Sequence, residues 1–542
     1  MKVMFLALNA RYYHSNLALR YLRQYLKKTD AEVVLEELTI NTPLREIVKT
    51  VYEHSPDALF ISVYIWNSSL VKILLDEITS LIKCRIYLGG PEVSFNSEEW
   101  IRSSPEITVI AHAGEESVRK IIDSNCKNEE KIISEPNPPF DEIPFPYTDE
   151  ELSSAENKIL YYESSRGCAF SCSYCLSSSY PCKIDLRNIE RVKDEISVLS
   201  KSGCSVVKFV DRTFNYDNKR AVEIIRHISL LETETVFHLE LHPEFISDEF
   251  IEVLKDVPSG RLRFEIGFQS ANAETLGAVN RYQNAENSAD KIRRISDLKK
   301  FHVHADLIAG LPFEDYQSFK KTFNLLASAA PDKIQLGFLK ILPGTKIESQ
   351  KKIFGIKHFC SPPYEVIETN NISFAELSKL HEIDSILDSV YNSSNFRKTI
   401  DYLSSKETLF DLLESLLCYA AESGFDIKTK NWKDVSFFLL NYSRSKLLDV
   451  QLLSDYLCYD FVTSKVPGAY PFFLFPEYEM FKHKCLGFLK SNSADSSCLK
   501  GIAPKEYSKF LFFSPRSPDF PKTLCGRNEI IVLYKDRLLN IF

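Results

Sequence analysis

Short apolar runs alternate with amphipathic helical segments over the first 345 residues, and this alternation commits the chain to parallel sheets covered by helices. KVMFLAL (2–8), VVLEEL, ALFISVYIW, RIYLGG and TVIAHAG read as strands. Helical patterns such as SNLALRYLRQYLKK (15–28), TPLREIVKTVYEH and SLVKILLDEITSLIK separate them. Such an α/β array predicts a doubly wound sheet, flavodoxin-like or Rossmann-like, that binds ligands at the carboxyl ends of its strands. Those ends are Leu8-Asn9-Ala10-Arg11, Tyr64-Ile65-Trp66-Asn67, Gly89-Gly90-Pro91-Glu92 and Gly114-Glu115-Glu116. No GxGxxG follows the first strand, so an ordinary dinucleotide site is excluded.

The alternation pauses at SEPNPPFDEIPFPY (134–147), where five prolines in fourteen residues predict a linker in extended conformation. It resumes with strands at ILYYES (159–164), VVKFVD (206–211), VFHLEL (236–241), LRFEIGF (262–268), HVHADLIAG (302–310) and IQLGFLKI (334–341). Six strand–helix units make most of a barrel, whose chemistry sits at the carboxyl ends of the strands. From about 351 helical runs dominate, followed by the aromatic stretch YPFFLFPEYEMF and a terminal hairpin near EIIVLYKDRLLNIF. The expected division is 1–135, a linker at 136–156, a partial (β/α)6 barrel at 157–350 and a mainly helical region at 351–542 in which no motif is legible.

A chain of 542 residues is too long for one core, and 44% hydrophobic with 26% charged residues is ordinary for a globular protein. No apolar run reaches 18 residues and the N-terminus has no export pattern, so a cytoplasmic location is expected. A net charge of −8 without a basic tract gives no bulk footprint for nucleic acid. Thirteen cysteines, an odd number, are expected as reduced thiols rather than a disulfide framework.

Three of those thiols stand apart. Cys168, Cys172 and Cys175 form CxxxCxxC directly after the first barrel strand. Chance would supply such a triplet about 0.01 times per chain of this cysteine content, so the spacing is a signal. Three thiolates on one loop can hold three irons of a 4Fe–4S cube and leave the fourth open. Zinc would want a fourth ligand, for which Cys182 is conceivable but oddly spaced, and buried thiols are the remaining alternative.

Side chains alternate along a strand. His238, Glu240 and His242 therefore share one face, as do Arg263, Glu265, Gly267 and Gln269, and His302, His304 and Asp306. The opposite faces are apolar. A surface sheet with one wet face would show this pattern. Helices between the strands would instead cover the apolar face and turn the polar one into the barrel, where a polar ligand satisfies it.

The triplet, with Tyr174 before its last cysteine and a partial barrel behind it, resembles the radical S-adenosylmethionine (SAM) superfamily over residues 158 to 345. The resemblance implies a 4Fe–4S cluster whose open iron chelates S-adenosylmethionine, which one electron cleaves to methionine and a 5′-deoxyadenosyl radical. Tyr162, Tyr174, Glu240, Gln269, Arg281 and Asp306 match residues near that ligand, with Arg281 suited to its carboxylate and Glu240 or Asp306 to ribose hydroxyls. The usual Gly-Gly-Glu after the second strand is replaced by VDRTFN (210–215), leaving Asp211 or Arg212 for the amino group.

The first domain is similar to the cobalamin-binding domain of cobalamin-dependent radical SAM proteins, through NARYYHSNLALRYL, VYIWN, YLGGPEVSF and AGEES in that order. DxHxxG is absent, which implies a corrin over the strand ends with no histidine beneath cobalt. Asn9, Trp66, Gly89, Gly90 and Glu115 are the implied cobalamin contacts, the glycines allowing close backbone approach. His14 reads as a capping or surface residue. The resemblance implies a radical enzyme, most simply a methyltransferase for an unactivated carbon or phosphorus centre, with a small-molecule or peptide substrate and a flavodoxin or ferredoxin as electron donor. His238, His242 and His304 are the inward candidates for contact with substrate, ahead of Glu163 and Lys208. A radical isomerase or cyclase using cobalamin for electron transfer, and a non-catalytic carrier of both cofactors, are the alternatives.

Overall fold

The computed structural model describes residues 1–179, 184–464, 471–492, 511–525, 531–534 and 537–540. Cys182 and parts of the expected terminal hairpin lie outside them. The chain divides into two compact units, Met1–Leu377 and Ser378–Phe542.

The first unit begins with six parallel strands, β1 (Lys2–Asn9), β2 (Glu32–Thr39), β3 (Ala58–Ser62), β4 (Arg85–Gly89), β5 (Ile107–Ile110) and β6 (Ile132–Ile133). They lie in the order β2-β1-β3-β4-β5-β6. The order reverses between β1 and β3, which opens a crevice at their carboxyl ends. Both faces of the sheet are dry. Met4, Leu6 and Leu8 join one buried cluster and Val3, Phe5 and Ala7 the other. That is why these strands read as unbroken apolar runs.

The proline-rich stretch is not the free spacer its composition predicted. A 3-10 turn at Phe140–Glu142 interrupts it, and Phe140 and Ile143 are fully buried against Tyr21 of helix Leu17–Tyr25.

The second sheet is also parallel: β7 (Ile159–Tyr162), then, after a two-residue hairpin of β8 (Ser165–Arg166) and β9 (Asp185–Leu186), β10 (Val206–Phe209), β11 (Val236–Leu241), β12 (Leu262–Gln269), β13 (His302–Ala309) and β14 (Lys333–Phe338). Strands β7, β10, β11, β12, β13 and β14 are adjacent in that sequence order, with β7 and β14 at the edges. One face packs under helices: Phe237, Leu239, Phe264, Ile266, Phe268, Val303 and Leu307 are fully buried. Each large side chain there contributes about 1.5–3 kcal/mol. Helices Ile189–Lys201, Asn218–Leu230, Asp248–Leu254, Ala285–Ser296 and Tyr316–Ser328 each start on an Asn, Asp or Ser whose side chain accepts a backbone N–H. Such caps contribute about 1 kcal/mol apiece and fix where each crossover turns back.

The second unit is mainly helical, with Arg397–Ser404, Leu409–Ser423, Trp432–Ser445, Val450–Thr463 and Tyr478–Asn492 followed by a three-stranded antiparallel sheet. The buried Asp460 carboxylate accepts from Lys398 N and Thr399 N, capping a neighbouring helix start. Among the described residues no helix is long and apolar enough to cross a membrane.

Candidate active site

The cysteine loop leaves β7 between the two strands of the β8–β9 hairpin. Asp211 anchors its start, accepting from Ser164 N at 2.9 Å, Ser164 Oγ at 2.6 Å and Ser165 Oγ at 2.6 Å. Ser178 Oγ lies within 2.7 Å of the Cys172 carbonyl and 2.6 Å of the Cys175 carbonyl, closing the loop's last turn. Ser173 N donates to Val279 O at 2.9 Å, and Ile347 N donates to Ser173 O at 2.9 Å. The loop is thus tied to three other segments before any ligand arrives. All three thiols are free and line one cavity of about 200 Å³. Burial pushes the Cys168 thiol pKa up, and the Cys172 and Cys175 thiols add to it. Among the described residues no three His, Cys, Asp or Glu side chains converge tightly enough to hold a single metal ion.

The polar faces of the barrel strands do turn inward, in register. Tyr161, Lys208, His238, Arg263 and His302 pair across one row, and Glu240, Glu265, His304 and Lys333 across the next. Glu265 is the hub. Although burial opposes it, His238 Nε2 at 2.9 Å and Lys208 Nζ at 3.2 Å hold its carboxyl at about 2. Glu240, 3.8 Å from Lys208, is pushed the other way, to about 7, by burial and by Glu265. Burial also raises Asp306 well above the carboxylate range, with Glu265 and Glu240 adding to it. His304 is driven down to about 4 by burial, then by Lys333.

Cavity walls come from Tyr174, Glu240, His242, Gln269, Arg281 and Asp306, all expected, from Arg212, one of the two alternatives after β10, and from Phe170 and Thr213, which were not assigned to it. His242 stacks on Phe170 with ring centroids 4.6 Å apart. Burial, Arg281 and Lys291 hold its pKa down at about 3. Its Nδ1 accepts from Glu244 N at 3.3 Å, which places the imidazole proton on Nε2. Gln269 sits at φ +65 beside a bulge in β12, and its side chain folds over Gly267, where a Cβ would lie 2.4 Å from its Nε2. Arg281 reaches Gly267 O and Gln283 Oε1, with Nη1 3.9 Å from Cys172 Sγ.

Several expectations need correction. Tyr162 faces away from the cavity: it is fully buried, donates to Glu195 Oε2 at 2.7 Å and packs on Phe209. Alternation puts Tyr161 inward instead, where its hydroxyl meets His14 Nδ1 at 2.5 Å. His14 is therefore neither a free surface group nor a cap. His238 is engaged by Glu265, and His304 does not line the cavity but lies 3.6 Å from Asp306, which does. Asp211 is consumed by the loop anchor, and Arg212 carries the wrong charge for an amino group.

On the N-terminal domain, Asn9 spends its amide on His14 O and Glu37 Oε1. Glu115, first residue of helix Glu115–Asp123, pairs with Arg166 Nη1 at 2.7 Å, and Arg166 also meets Glu163 at 2.9 Å. Arg166 lies over the Tyr21 and Phe140 rings, with centroids at 5.2 and 4.7 Å. Glu115 therefore holds the cysteine loop, and no pattern in the sequence announced Arg166. Gly90 is required by its own backbone: φ is +112, and a Cβ would meet Val63 O at 2.5 Å. Gly89 has room for one, at 3.8 Å from the nearest atom. Trp66, 46% exposed, stacks on Tyr64 at 4.4 Å and donates from Nε1 to Leu8 O at 3.3 Å, while Tyr12 and Tyr13 lie exposed just after β1.

Do these residues fit the implied cofactors? Tyr174 Oη, His242 Nε2, Gln269 Oε1 and Asp306 Oδ1 are buried without a hydrogen-bond partner among the described residues, Asp306 Oδ1 lying 3.6 Å from His304 Nε2, and all four residues line the cavity that holds the thiols. Orphaned buried polar atoms at that density call for a polar ligand. The exposed aromatic residues just after β1 and β3 suit a broad, largely apolar one. Both fit.

Comparison with known proteins agrees. Three family models match: the B12 binding domain over residues 4–122, the radical SAM superfamily over 162–326 and a protein of unknown function, DUF4080, over 352–513. The chain is 24% identical over 360 residues to the uncharacterized methyltransferase PH0819 of Pyrococcus horikoshii, covering 61% of this chain and 77% of that protein. It is 23% identical to the cobalamin-dependent radical SAM methyltransferase TokK of Streptomyces tokunonensis, covering 65% of this chain but 57% of TokK. Its fold is similar to the cobalamin-dependent S-adenosylmethionine radical enzyme OxsB with aqua-cobalamin bound (TM-score 0.62, 15% identity, 85% of this chain and 80% of that one). It is also similar to the methyltransferase TsrM of Kitasatospora setae with cobalamin and a [4Fe-4S] cluster bound (TM-score 0.54, 14% identity, 67% and 78%). With its B12 binding domain, radical SAM domain and DUF4080 region in that order, the chain belongs to the cobalamin-dependent radical SAM enzymes, whose cofactors are a 4Fe–4S cluster, S-adenosylmethionine and cobalamin.

Proposed function

We propose that this enzyme transfers a methyl group to an unactivated carbon or phosphorus centre of a small-molecule or peptide substrate, in the cytoplasm, with a flavodoxin or ferredoxin as electron donor. The observation that supports it best is the cavity in which three thiols meet four buried polar atoms that have no hydrogen-bond partner among the described residues. Two sequence relatives named as methyltransferases favour methyl transfer. When bound, the cofactors supply one-electron cleavage of S-adenosylmethionine and methyl carriage.

The chain's own residues bind, orient and shield. Cys168, Cys172 and Cys175 hold the cluster, and Arg281, beside Cys172, attracts a ligand carboxylate. Glu240, with a pKa of about 7, takes a hydroxyl partner in either protonation state, as acceptor or donor. Glu265 stays ionised and fixes Lys208 and His238 in the lumen. His242 offers a neutral Nε2–H donor at physiological pH. Phe170 and the apolar ring faces around it keep water from the cysteine side.

One observation favours a second reading, a radical isomerase or cyclase: the likeness to OxsB, called a radical enzyme rather than a methyltransferase, covers more of this chain than the likeness to TsrM. Anaerobic protein, reconstituted and given excess S-adenosylmethionine with a low-potential reductant, separates the two. S-adenosylhomocysteine together with 5′-deoxyadenosine, and a labelled methyl in product, is expected. 5′-Deoxyadenosine alone favours the second reading, and neither compound means a non-catalytic carrier.

A further inference from the structure

Arg212 follows β10, at the point where the preceding Asp211 withdraws into the anchor of the cysteine loop. It is exposed and lines the cavity. Its charge acts on two groups from different domains, Tyr64 at the end of β3 and Glu240 in the cavity. Arg212 therefore lines the cavity of the cysteine loop and lies within electrostatic range of Tyr64 in the B12 binding domain. Of the other cations lining or facing the cavity, Lys208 is paired with Glu265 and Glu240, and Arg281, held by Gly267 O and Gln283 beside Cys172, is the one assigned above to the carboxylate of the cluster's ligand. Among the described residues the Arg212 guanidinium makes no ion pair.

A guanidinium repels an ammonium or a sulfonium. Its planar fork of donors matches the two oxygens of a carboxylate or phosphate. A group that must react with both cofactors has to lie between them, and Arg212 lines the cavity within electrostatic range of Tyr64. We propose that Arg212 binds a carboxylate or phosphate of the substrate, so that the enzyme acts on anionic molecules. This rests on the function proposed above.

Phenylglyoxal labelling of the anaerobic holoprotein, read by peptide mass spectrometry, tests it, with the Arg212→Gln protein identifying the labelled peptide. Millimolar inorganic phosphate or propionate is expected to slow labelling at Arg212 several-fold, and the more effective of the two names the anion. Propionamide, neutral and of the same shape, is expected to give no protection. Protection by S-adenosylmethionine alone, or protein that labels slowly only when cobalamin is loaded, assigns Arg212 to a cofactor and overturns the proposal. Equal labelling with and without the anions overturns it too. The same preparation is assayed for 5′-deoxyadenosine: a silent preparation sinks the proposed function, whatever the labelling shows.

Discussion

The first unit contains two six-stranded parallel sheets that use their faces differently. In the N-terminal sheet both faces are dry, so β1 from Val3 to Leu8 and β3 from Ala58 to Ile61 are apolar at every position and ligand chemistry is pushed to the loops at the strand ends. In the barrel sheet, curvature leaves one face without helices, and β11, β12 and β13 alternate between buried apolar residues and more open ones that are polar except at Val236, Gly267 and Ile308. A covered sheet carries function only at its edge; a curved one carries it along its length. The two meet through partly buried pairs, Glu115 with Arg166 and Tyr161 with His14.

That contrast can be broken most completely at the thiols. Replacing Cys168, Cys172 or Cys175 by alanine is expected to abolish cluster iron and 5′-deoxyadenosine while the N-terminal domain still retains corrinoid. Iron analysis and visible spectra check it, and loss of corrinoid as well would show that the two regions are not separable. Next comes their junction. Arg166→Met leaves two buried carboxylates unpaired and is expected to cost about 3–5 kcal/mol, seen as a lower urea midpoint. Glu115→Gln is expected to weaken cluster retention more than cobalamin binding; the reverse would return Glu115 to the corrin. Within the dry sheet, Gly90→Ala forces a strained φ and a clash with Val63, for about 2–3 kcal/mol, measured by thermal unfolding. The smallest effect belongs to the lumen. His304, held at about 4, stays neutral in the folded chain where the unfolded chain takes up a proton. Its contribution is complete above pH 6.5 and is lost as pH falls from 6.5 toward 4, by about 1 kcal/mol per pH unit. Apo-protein melts at pH 7.0 and 5.5 measure this, and His304→Asn is expected to reduce the difference without abolishing it, because His242, held at about 3, contributes in the same direction.

Legibility followed the same divide. Strand β11 was readable to the residue, and the inward row of β12 and β13 followed from period two alone. Tyr162 was misplaced although the same period, applied to β7, selects Tyr161. In the N-terminal domain, Asn9, Gly90 and Glu115 stood at the right strand ends, yet each serves the protein's own framework rather than an open site. Loop residues have no periodicity, so their partners stay hidden until the chain folds. The proline-rich stretch shows the same limit: composition reports stiffness, and only packing against Tyr21 turns Phe140 and Ile143 into core.

Local pattern and spacing by themselves determined the two parallel sheets, the three thiols on one loop and the polar lining of the lumen, because strand periodicity and ligand spacing are properties of neighbours along the chain. Tertiary structure alone decided that Asp211 is spent while Arg212 makes no ion pair among the described residues, that Arg166 joins the two regions, and that Glu240 and Glu265 titrate far apart. Those outcomes depend on burial and on charges brought together from distant segments, and Coulomb and desolvation energies are set by distance in space, not in sequence.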